Sequence, residues 1–148
     1  MSDSENKNSE TLEEQLKKIR QTAEMYEAAQ QYEKAIDQYK IYSHIDPSSP
    51  FVHAHLAECL FFVNDYEQSL SSFSKAIELD PDYTWAFAGR GKLFSVLGEY
   101  ALALLDFKQA LAYNADDVWL LNQIGDVLNE LARYEEALPY FNHSIGLN

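Results

Sequence analysis

One tyrosine recurs at intervals of 34 residues along this chain. It occupies positions Tyr32, Tyr66, Tyr100 and Tyr134. A small residue follows each of these tyrosines by three positions, an aromatic residue follows it by seven, and a large apolar residue precedes it by six. A sequence that repeats itself at a fixed period of roughly 20–50 residues is typical of a protein built from stacked copies of one structural unit. We therefore expect a linear array of similar units.

Each unit has the apolar spacing of two helices. In the second unit, Leu56, Ala57 and Leu60 fall on one helical face, and a second apolar face follows further along the unit. Pro47 and Pro81 are also 34 residues apart. They mark the ends of second helices, because the residue before a proline disfavours the helical backbone conformation. The pattern thus predicts pairs of antiparallel helices separated by short breaks.

The period, the alternation of small and large residues and the Asp-Pro boundaries resemble the tetratricopeptide repeat. The segments that match the family pattern most closely are Ala76–Tyr83 and Leu97–Tyr100. The resemblance implies an all-α fold, a right-handed superhelical solenoid of antiparallel helix pairs. It divides a domain at 11–148 into four repeats, at about 16–49, 50–83, 84–117 and 118–148. It implies no particular ligand, because the family shares a scaffold rather than a partner.

The N-terminal segment and the third repeat boundary depart from the repeat pattern. Residues 1–10 are polar and are expected to form a disordered tail, after which Thr11 and Glu14 have the spacing of a capping box that opens the first helix. Ala115 stands where the repeat pattern has proline, so we expect a less sharp third boundary.

At the C-terminal end, no following helix would cover three apolar residues of the last helix. These are Leu138, Ile145 and Leu147. The chain is then a piece of a longer array, or it self-associates into a homo-oligomer through this end, or the patch is small enough to tolerate.

The first helices of stacked repeats line a concave surface. The face of each first helix that does not enter the core is expected to face this groove. The predicted groove residues are Phe51, Ala54, His55, Glu58, Phe62, Trp85, Ala88, Gly89, Lys92, Trp119, Asn122, Gln123 and Asp126. Aromatic side chains beside small residues suit a pocket for an apolar side chain of a peptide. The alternative is that Trp85 and Trp119 pack against neighbouring helices and loops.

The best-known ligand mode of the family that this chain resembles is a carboxylate clamp. In that mode Lys, Asn and Arg side chains grip the acidic C-terminal tail of heat-shock chaperones. Counted from the first unit, the matching positions hold Arg20, Glu24, His55, Trp85 and Gly89. Counted from the second unit, they hold Ala54, Glu58, Gly89, Trp119 and Gln123. Only Arg20 has the required charge, so the sequence argues against chaperone-tail binding.

The charge of the chain limits its partners. Asp and Glu number 24 against 11 Lys and Arg, which gives a formal net charge of -13. Such a surface disfavours nucleic acid and anionic membranes and favours basic partners. No stretch approaches the length of a membrane span, and the N-terminus lacks the apolar segment of a signal peptide. We therefore expect no membrane insertion and a cytoplasmic location.

No arrangement of residues predicts catalysis. His53 and His55 diverge by roughly 200° on a helix and cannot share a metal ion. Cys59 is the single cysteine, so an intrachain disulfide is excluded, and we expect it to behave as a small buried hydrophobe. The sequence has no glycine-rich phosphate loop and no nucleophile motif. We expect no enzyme activity, no metal and no cofactor.

Three functions remain open on the sequence. The first is a scaffold or adaptor that binds a peptide segment of a partner protein in the groove. The second is a small acidic bacterial export chaperone of the tetratricopeptide-repeat type, although such chaperones usually begin with a longer dimerisation segment. The third is an assembly element that self-associates through its C-terminal face.

Overall fold

The structure is a computed structural model that describes residues 10–148. This part of the chain consists of eight α-helices and contains no strand. The helices are α1 (Leu12–Ala28), α2 (Tyr32–Ile45), α3 (Pro50–Phe62), α4 (Tyr66–Leu79), α5 (Thr84–Val96), α6 (Tyr100–Leu111), α7 (Val118–Glu130) and α8 (Tyr134–Leu147). Of the predicted tail only Glu10 is among the described residues, and it pairs with Lys18. The expected all-α solenoid of helix pairs is confirmed.

Four of the eight helices, α1, α3, α4 and α7, begin at a residue whose side chain accepts a free backbone N–H group. The predicted capping box is confirmed: the Thr11 hydroxyl accepts from the Glu14 N–H, and the Glu14 carboxylate accepts from the Thr11 N–H at 2.9 Å. Ser49 and Asp117 each accept one backbone N–H at the starts of α3 and α7. The first N–H groups of a helix have no partner within the helix, so these bonds stabilise the starts.

The turn inside each helix pair contains one residue with a positive φ angle, and these residues are spaced by the same 34 residues. They are Gln30, Asn64, Gly98 and Ala132, with φ angles of 57°, 63°, 77° and 57°. Glycine and asparagine tolerate this left-handed conformation, whereas other side chains crowd the backbone in it. The first and last turns are therefore strained relative to the two middle turns.

Small residues on the first helices make room for aromatic residues on the second helices. A Cβ atom on Gly91 would lie 2.8 Å from Cδ1 of Phe107, and one on Gly125 would lie 2.5 Å from Cζ of Phe141. Both distances are shorter than packed atoms allow. Each helix packs against the next along the chain, and α3 also contacts α5. The repeated small and aromatic positions of the sequence are therefore the contacts that hold each pair together.

The third boundary differs from the first two. The helices α2 and α4 end at equivalent residues, Ile45 and Leu79, each followed by an aspartate and a proline. By the 34-residue period α6 would end at Tyr113, but it ends two residues earlier, at Leu111. The connection between α6 and α7 is therefore longer than those that follow α2 and α4, and the less sharp boundary expected at Ala115 stays a prediction.

A buried ion pair joins α5 to α6. Arg90 donates from Nε to Oδ2 of Asp106 at 2.7 Å and from Nη2 to Oδ1 at 2.9 Å. Its Nη1 donates to Ser74 of α4 at 3.3 Å. The Asp106 side chain is 7% exposed and the Arg90 side chain 22%. The ion pair therefore lies within the third helix pair, and the bond from Arg90 to Ser74 connects it to the second helix pair.

None of the helices in residues 10–148 combines the length and the apolar character that crossing a membrane requires.

Candidate functional site

An open pocket of about 530 Å³ lies among α3, α5, α6 and the start of α7. We call it the tryptophan pocket. Its lining residues are Glu58, Thr84, Trp85, Ala88, Gly89, Lys92, Ala110, Tyr113, Asn114, Asp117, Trp119 and Leu120. Six of the residues predicted to line the groove are in this set, from three successive first helices. Those helices therefore bring part of the predicted groove together as one concavity.

Both tryptophans of the chain lie at this pocket with part of each ring exposed. Trp85 is 37% exposed, and its ring centroid lies 4.4 Å from that of His55. Trp119 is 45% exposed, and its ring meets the buried Phe107 ring nearly at right angles, 5.8 Å between centroids. Each indole packs on one side against the protein and remains accessible on another. Both indole rings therefore pack against the protein and still leave surface that a ligand could contact.

One wall beside the pocket is fixed by a network that crosses four helices. His55 Nδ1 lies 2.9 Å from a carboxylate oxygen of Glu27, and the Tyr39 hydroxyl donates to the same carboxylate at 2.6 Å. The ring centroids of Phe51 and His55 are 4.0 Å apart, and the His55 ring also contacts the Trp85 ring at a tilt of 35°. The His55 side chain therefore holds its place between two aromatic rings.

Charges in this network shift two pKa values. Burial raises the pKa of Glu27, but the hydrogen bonds from His55 and Tyr39 outweigh burial, so the pKa falls below its usual value. The pKa of Tyr39 is raised, first by burial and then by its bond to Glu27. Both groups hold a single protonation state near neutral pH, with Glu27 ionised and Tyr39 protonated. The Glu27 carboxylate can therefore accept the hydrogen bond from Tyr39 near neutral pH.

Glu58 and Lys92 face the same pocket without pairing. The Lys92 ammonium lies over the rings of Phe61 and Phe62, 4.7 and 5.0 Å from their centroids. Burial and then the charge of Glu27 raise the pKa of Glu58, and the charge of Lys92 opposes this shift only in part. No ion pair formed within residues 10–148 includes either side chain. The Glu58 carboxylate is thus partly desolvated without a cation bound to it.

The placement of Ala54 in the groove is wrong. Ala54 is fully buried, in the core cluster that contains Phe73 and Ala86. Its small side chain serves the contact between α3 and α5 instead of forming a groove floor. Gly89 lines the pocket, but a Cβ atom there would lie 2.4 Å from Cε1 of Phe73. The absence of a side chain at Gly89 therefore makes room for a core aromatic residue.

Other predicted groove residues lie outside the tryptophan pocket. Phe62 is 42% exposed and stacks on Tyr32 of α2, with centroids 4.6 Å apart. Asn122 and Gln123 are half-buried on α7, and Asp126 is exposed on the same helix. None of these four residues is part of the pocket lining. Their role as groove contacts stays a prediction.

The repeat pattern does not predict the pocket residues that the connection between α6 and α7 contributes. Tyr113, Asn114 and Asp117 line the pocket, and the Tyr113 hydroxyl forms a hydrogen bond with Asp82. The nearest sequence signal is the departure from the repeat pattern at Ala115, and it does not predict that α6 ends early. The repeat pattern itself carries no information about such loop residues.

The histidines and the cysteine have ordinary surroundings. His53 Nε2 lies 2.8 Å from the Pro47 carbonyl, and His143 Nε2 lies 2.8 Å from the Asp116 carboxylate. Cys59 is fully buried, as expected, and burial raises the pKa of its thiol to about 12. Within residues 10–148, no group of three or more His, Cys, Asp or Glu side chains is placed to hold a metal ion.

The apolar residues at the end of the last helix are exposed. Leu138 is 58% exposed, Ile145 70% and Leu147 42%. Tyr134 at the start of α8 is also 63% exposed. Leu138 and Ile145 are seven residues apart and lie on one side of α8, which we call the apolar C-terminal face.

Comparison with solved structures shows the same fold in several proteins. A crystal structure of MamA superposes with a TM-score of 0.84 at 17% identity, covering 89% of this chain and 72% of MamA. The first tetratricopeptide-repeat domain of Spaghetti (RPAP3), bound to the HSP90 peptide SRMEEVD, gives 0.77 at 22% identity, with 79% and 93% covered. The second such domain of human RPAP3, bound to the HSP70 peptide SGPTIEEVD, gives 0.69 at 22% identity, with 76% and 97% covered.

Sequence comparison points to the same family. No curated protein matches the sequence. The family profile of the tetratricopeptide repeat matches residues 52–83 and 120–148. These two segments correspond to the second and fourth helix pairs, and the first and third pairs repeat the same pattern of tyrosine, small and aromatic positions. The chain contains tetratricopeptide repeats at residues 52–83 and 120–148, and it has the fold of solved tetratricopeptide-repeat domains.

Proposed function

We propose that this chain is a non-catalytic protein-interaction scaffold that binds a peptide segment of a partner protein in its concave groove. The tryptophan pocket is the observation that carries this proposal. It is open, it has room for one or two side chains, and it presents two half-exposed indole rings. Large aromatic side chains with low conformational freedom contribute most of the energy of many protein interfaces.

The walls of the groove support binding without rearrangement. His55 is held between Phe51 and Trp85 and by Glu27, so these rings do not need to be ordered when a ligand arrives. Ordering flexible side chains costs about 0.5–1.5 kcal/mol for each one that is immobilised on binding. A fixed wall avoids that cost and favours measurable affinity for a short peptide.

The charge of the groove argues against acidic tails such as those bound by the two RPAP3 domains. Arg20 is the one clamp-like cation, and it already pairs with Glu24 at 2.9 Å and lies over the Phe51 ring at 3.7 Å. Glu27 and Glu58 lie nearby on α1 and α3. Like charges across an interface disfavour binding. The ligand of this groove is therefore a neutral or basic segment.

A peptide-display selection tests the proposal. Random peptides would be selected on the wild-type chain and then measured against Trp85→Ala/Trp119→Ala. The matched control is Ile41→Ala/Leu105→Ala, because those two side chains are exposed on second helices outside the pocket. All three proteins must first show equal helix content by circular dichroism. We expect affinity to fall at least tenfold in the tryptophan variant and to persist in the control. Equal affinity for all three would refute groove binding.

The C-terminal face supports self-association as a second candidate function. Leu138 and Ile145 lie two helical turns apart, and both are more than half exposed. Exposed contiguous apolar surface is characteristic of interaction sites. Sedimentation of the wild type and of Leu138→Glu/Ile145→Glu would decide the matter. A wild-type oligomer that the substitutions dissociate supports this function, and a wild-type monomer at high concentration contradicts it.

A further inference from the structure

The lining of the tryptophan pocket is unbalanced in charge. It contains two carboxylates, Glu58 and Asp117, and one cation, Lys92. Asp117 accepts a single hydrogen bond, from the Leu120 N–H at 3.0 Å. A carboxylate has room for about four hydrogen bonds. Both acidic groups therefore retain capacity to accept donors from a ligand.

Lys92 does not neutralise this lining. Its ammonium lies between two phenylalanine rings on α3, Phe61 and Phe62, and it is absent from the ion pairs of residues 10–148. Aromatic faces attract cations, so this position is favourable without a carboxylate partner. Glu58 is consequently left partly buried beside an open cavity without a counter-ion.

The aromatic surfaces of the pocket suit the same kind of ligand. The tryptophan ring has the most favourable aromatic face for a cation, and Trp85 and Trp119 each keep part of the ring exposed. A guanidinium group is planar, stacks on aromatic faces and binds carboxylates through two parallel hydrogen bonds. A net charge of -13 adds long-range attraction for a basic peptide.

We propose that the tryptophan pocket is an arginine-recognition site, in which Glu58 pairs with the guanidinium group of a partner's arginine while the exposed parts of Trp85 and Trp119 contact its planar face. The inference rests on the proposed function, because it names the side chain by which the groove would select its peptide. It also reverses the charge preference of the carboxylate clamp, since here the protein supplies the carboxylate and the ligand supplies the cation.

The two tryptophans make the site directly observable. The chain contains only these two, and both line the pocket, so the two indole N–H signals in a nitrogen–proton NMR spectrum report on this site alone. The probe is N-acetyl-arginine N-methylamide. The matched probes are the citrulline analogue, which has nearly the same shape without the charge, and the glutamate analogue, which has the opposite charge.

We expect the arginine probe to shift both indole signals in a saturable way, with a Kd on the order of 1 mM. The citrulline probe should bind about tenfold more weakly, because a charge-assisted hydrogen bond is about twice as strong as a neutral one. Glu58→Gln should weaken arginine binding about tenfold by the same argument. Lys92→Gln should strengthen arginine binding, since the substitution removes a positive charge of the pocket lining that repels the guanidinium group.

Each alternative outcome overturns the inference. Indole signals that do not shift at an arginine-probe concentration of about ten times the expected Kd would exclude the site. Equal binding of arginine and citrulline would show that charge is not recognised. Tighter binding of glutamate, lost in Lys92→Gln, would make the pocket an anion site. Glu58→Gln is not expected to unfold the chain, because it removes a desolvated charge, and its melting temperature checks this.

Failure of this inference and failure of the proposed function are distinguishable. Peptides from the display selection that lack basic residues but still require both tryptophans would refute arginine recognition and leave groove binding intact. Peptides that ignore the tryptophans, together with silent indole signals, would refute both.

Discussion

Replacing Asp106 by alanine tests how much of the stability of the array depends on one buried ion pair. Two hydrogen bonds at 2.7 and 2.9 Å join Asp106 to Arg90, and the carboxylate is 7% exposed. Removing one partner of a buried pair costs about 3–5 kcal/mol, because the other charge is left without compensation. Arg90 keeps its contact to Ser74 and is 22% exposed, so water can reach part of it. We therefore expect a loss of about 3 kcal/mol, at the lower end of that range.

Chemical denaturation followed by circular dichroism measures this loss in the free energy of unfolding, and thermal melting measures the accompanying fall in melting temperature. For a chain of 148 residues, 1 kcal/mol corresponds to roughly 2–4 °C in melting temperature, so about 6–12 °C is expected. Asp37→Ala is the matched control, because Asp37 is an exposed aspartate on another second helix and should change stability by less than about 0.5 kcal/mol. Combining Asp106→Ala with Arg90→Met completes a double-mutant cycle.

The cycle separates the pair from the general loss of a side chain. We expect the double variant to be more stable than the sum of the single losses predicts, by about 2 kcal/mol, because removing both charges leaves neither one buried alone. Additive single losses, or an Asp106→Ala variant as stable as Asp37→Ala, would refute the argument that this pair links α5 to α6.

Three further predictions follow from single residues. Gly125→Ala should lower the free energy of unfolding by about 1–3 kcal/mol, because the new methyl group meets the Phe141 ring, and thermal melting would show it. Ala132→Gly should raise it by about 1 kcal/mol, because glycine tolerates the φ angle of 57°, and an unchanged urea midpoint would contradict that strain. Glu58→Gln should stabilise the fold near pH 7, since burial raises the Glu58 pKa in the folded state and its ionised form is disfavoured there. This gain should disappear as the pH falls through that pKa, because wild-type Glu58 then becomes protonated, and melting curves across pH 4–7 would test the sign.

The sequence was sufficient for the helices and their pairing because those depend on contacts that recur in every unit. The spacing of Gly91 to Phe107 within one pair is the same as that of Gly125 to Phe141 in the next. A contact that is repeated with a fixed spacing leaves a periodic trace in the sequence. The turn at Ala132 is the counterexample, because its left-handed backbone follows from the fold around it and not from its own preference.

The groove could be predicted only in part, for two physical reasons. A small residue such as Ala54 is compatible with a groove floor and with a close contact between helices, and both situations demand the same side chain. Only the contact between α3 and α5 decides in favour of burial. The second reason is that Tyr113, Asn114 and Asp117 enter the pocket through a helix that ends early, and this depends on one local departure from the repeat.

We propose that a partner binds on the concave side of the array, at the tryptophan pocket. A backbone-amide chemical-shift map with the tightest display-selected peptide tests it most directly. We predict that the largest shifts fall on α3, α5 and α7 and on both indole N–H groups. Largest shifts on α4, α6 and α8, with unchanged indole signals, would contradict the claim and place the interaction surface on the second helices.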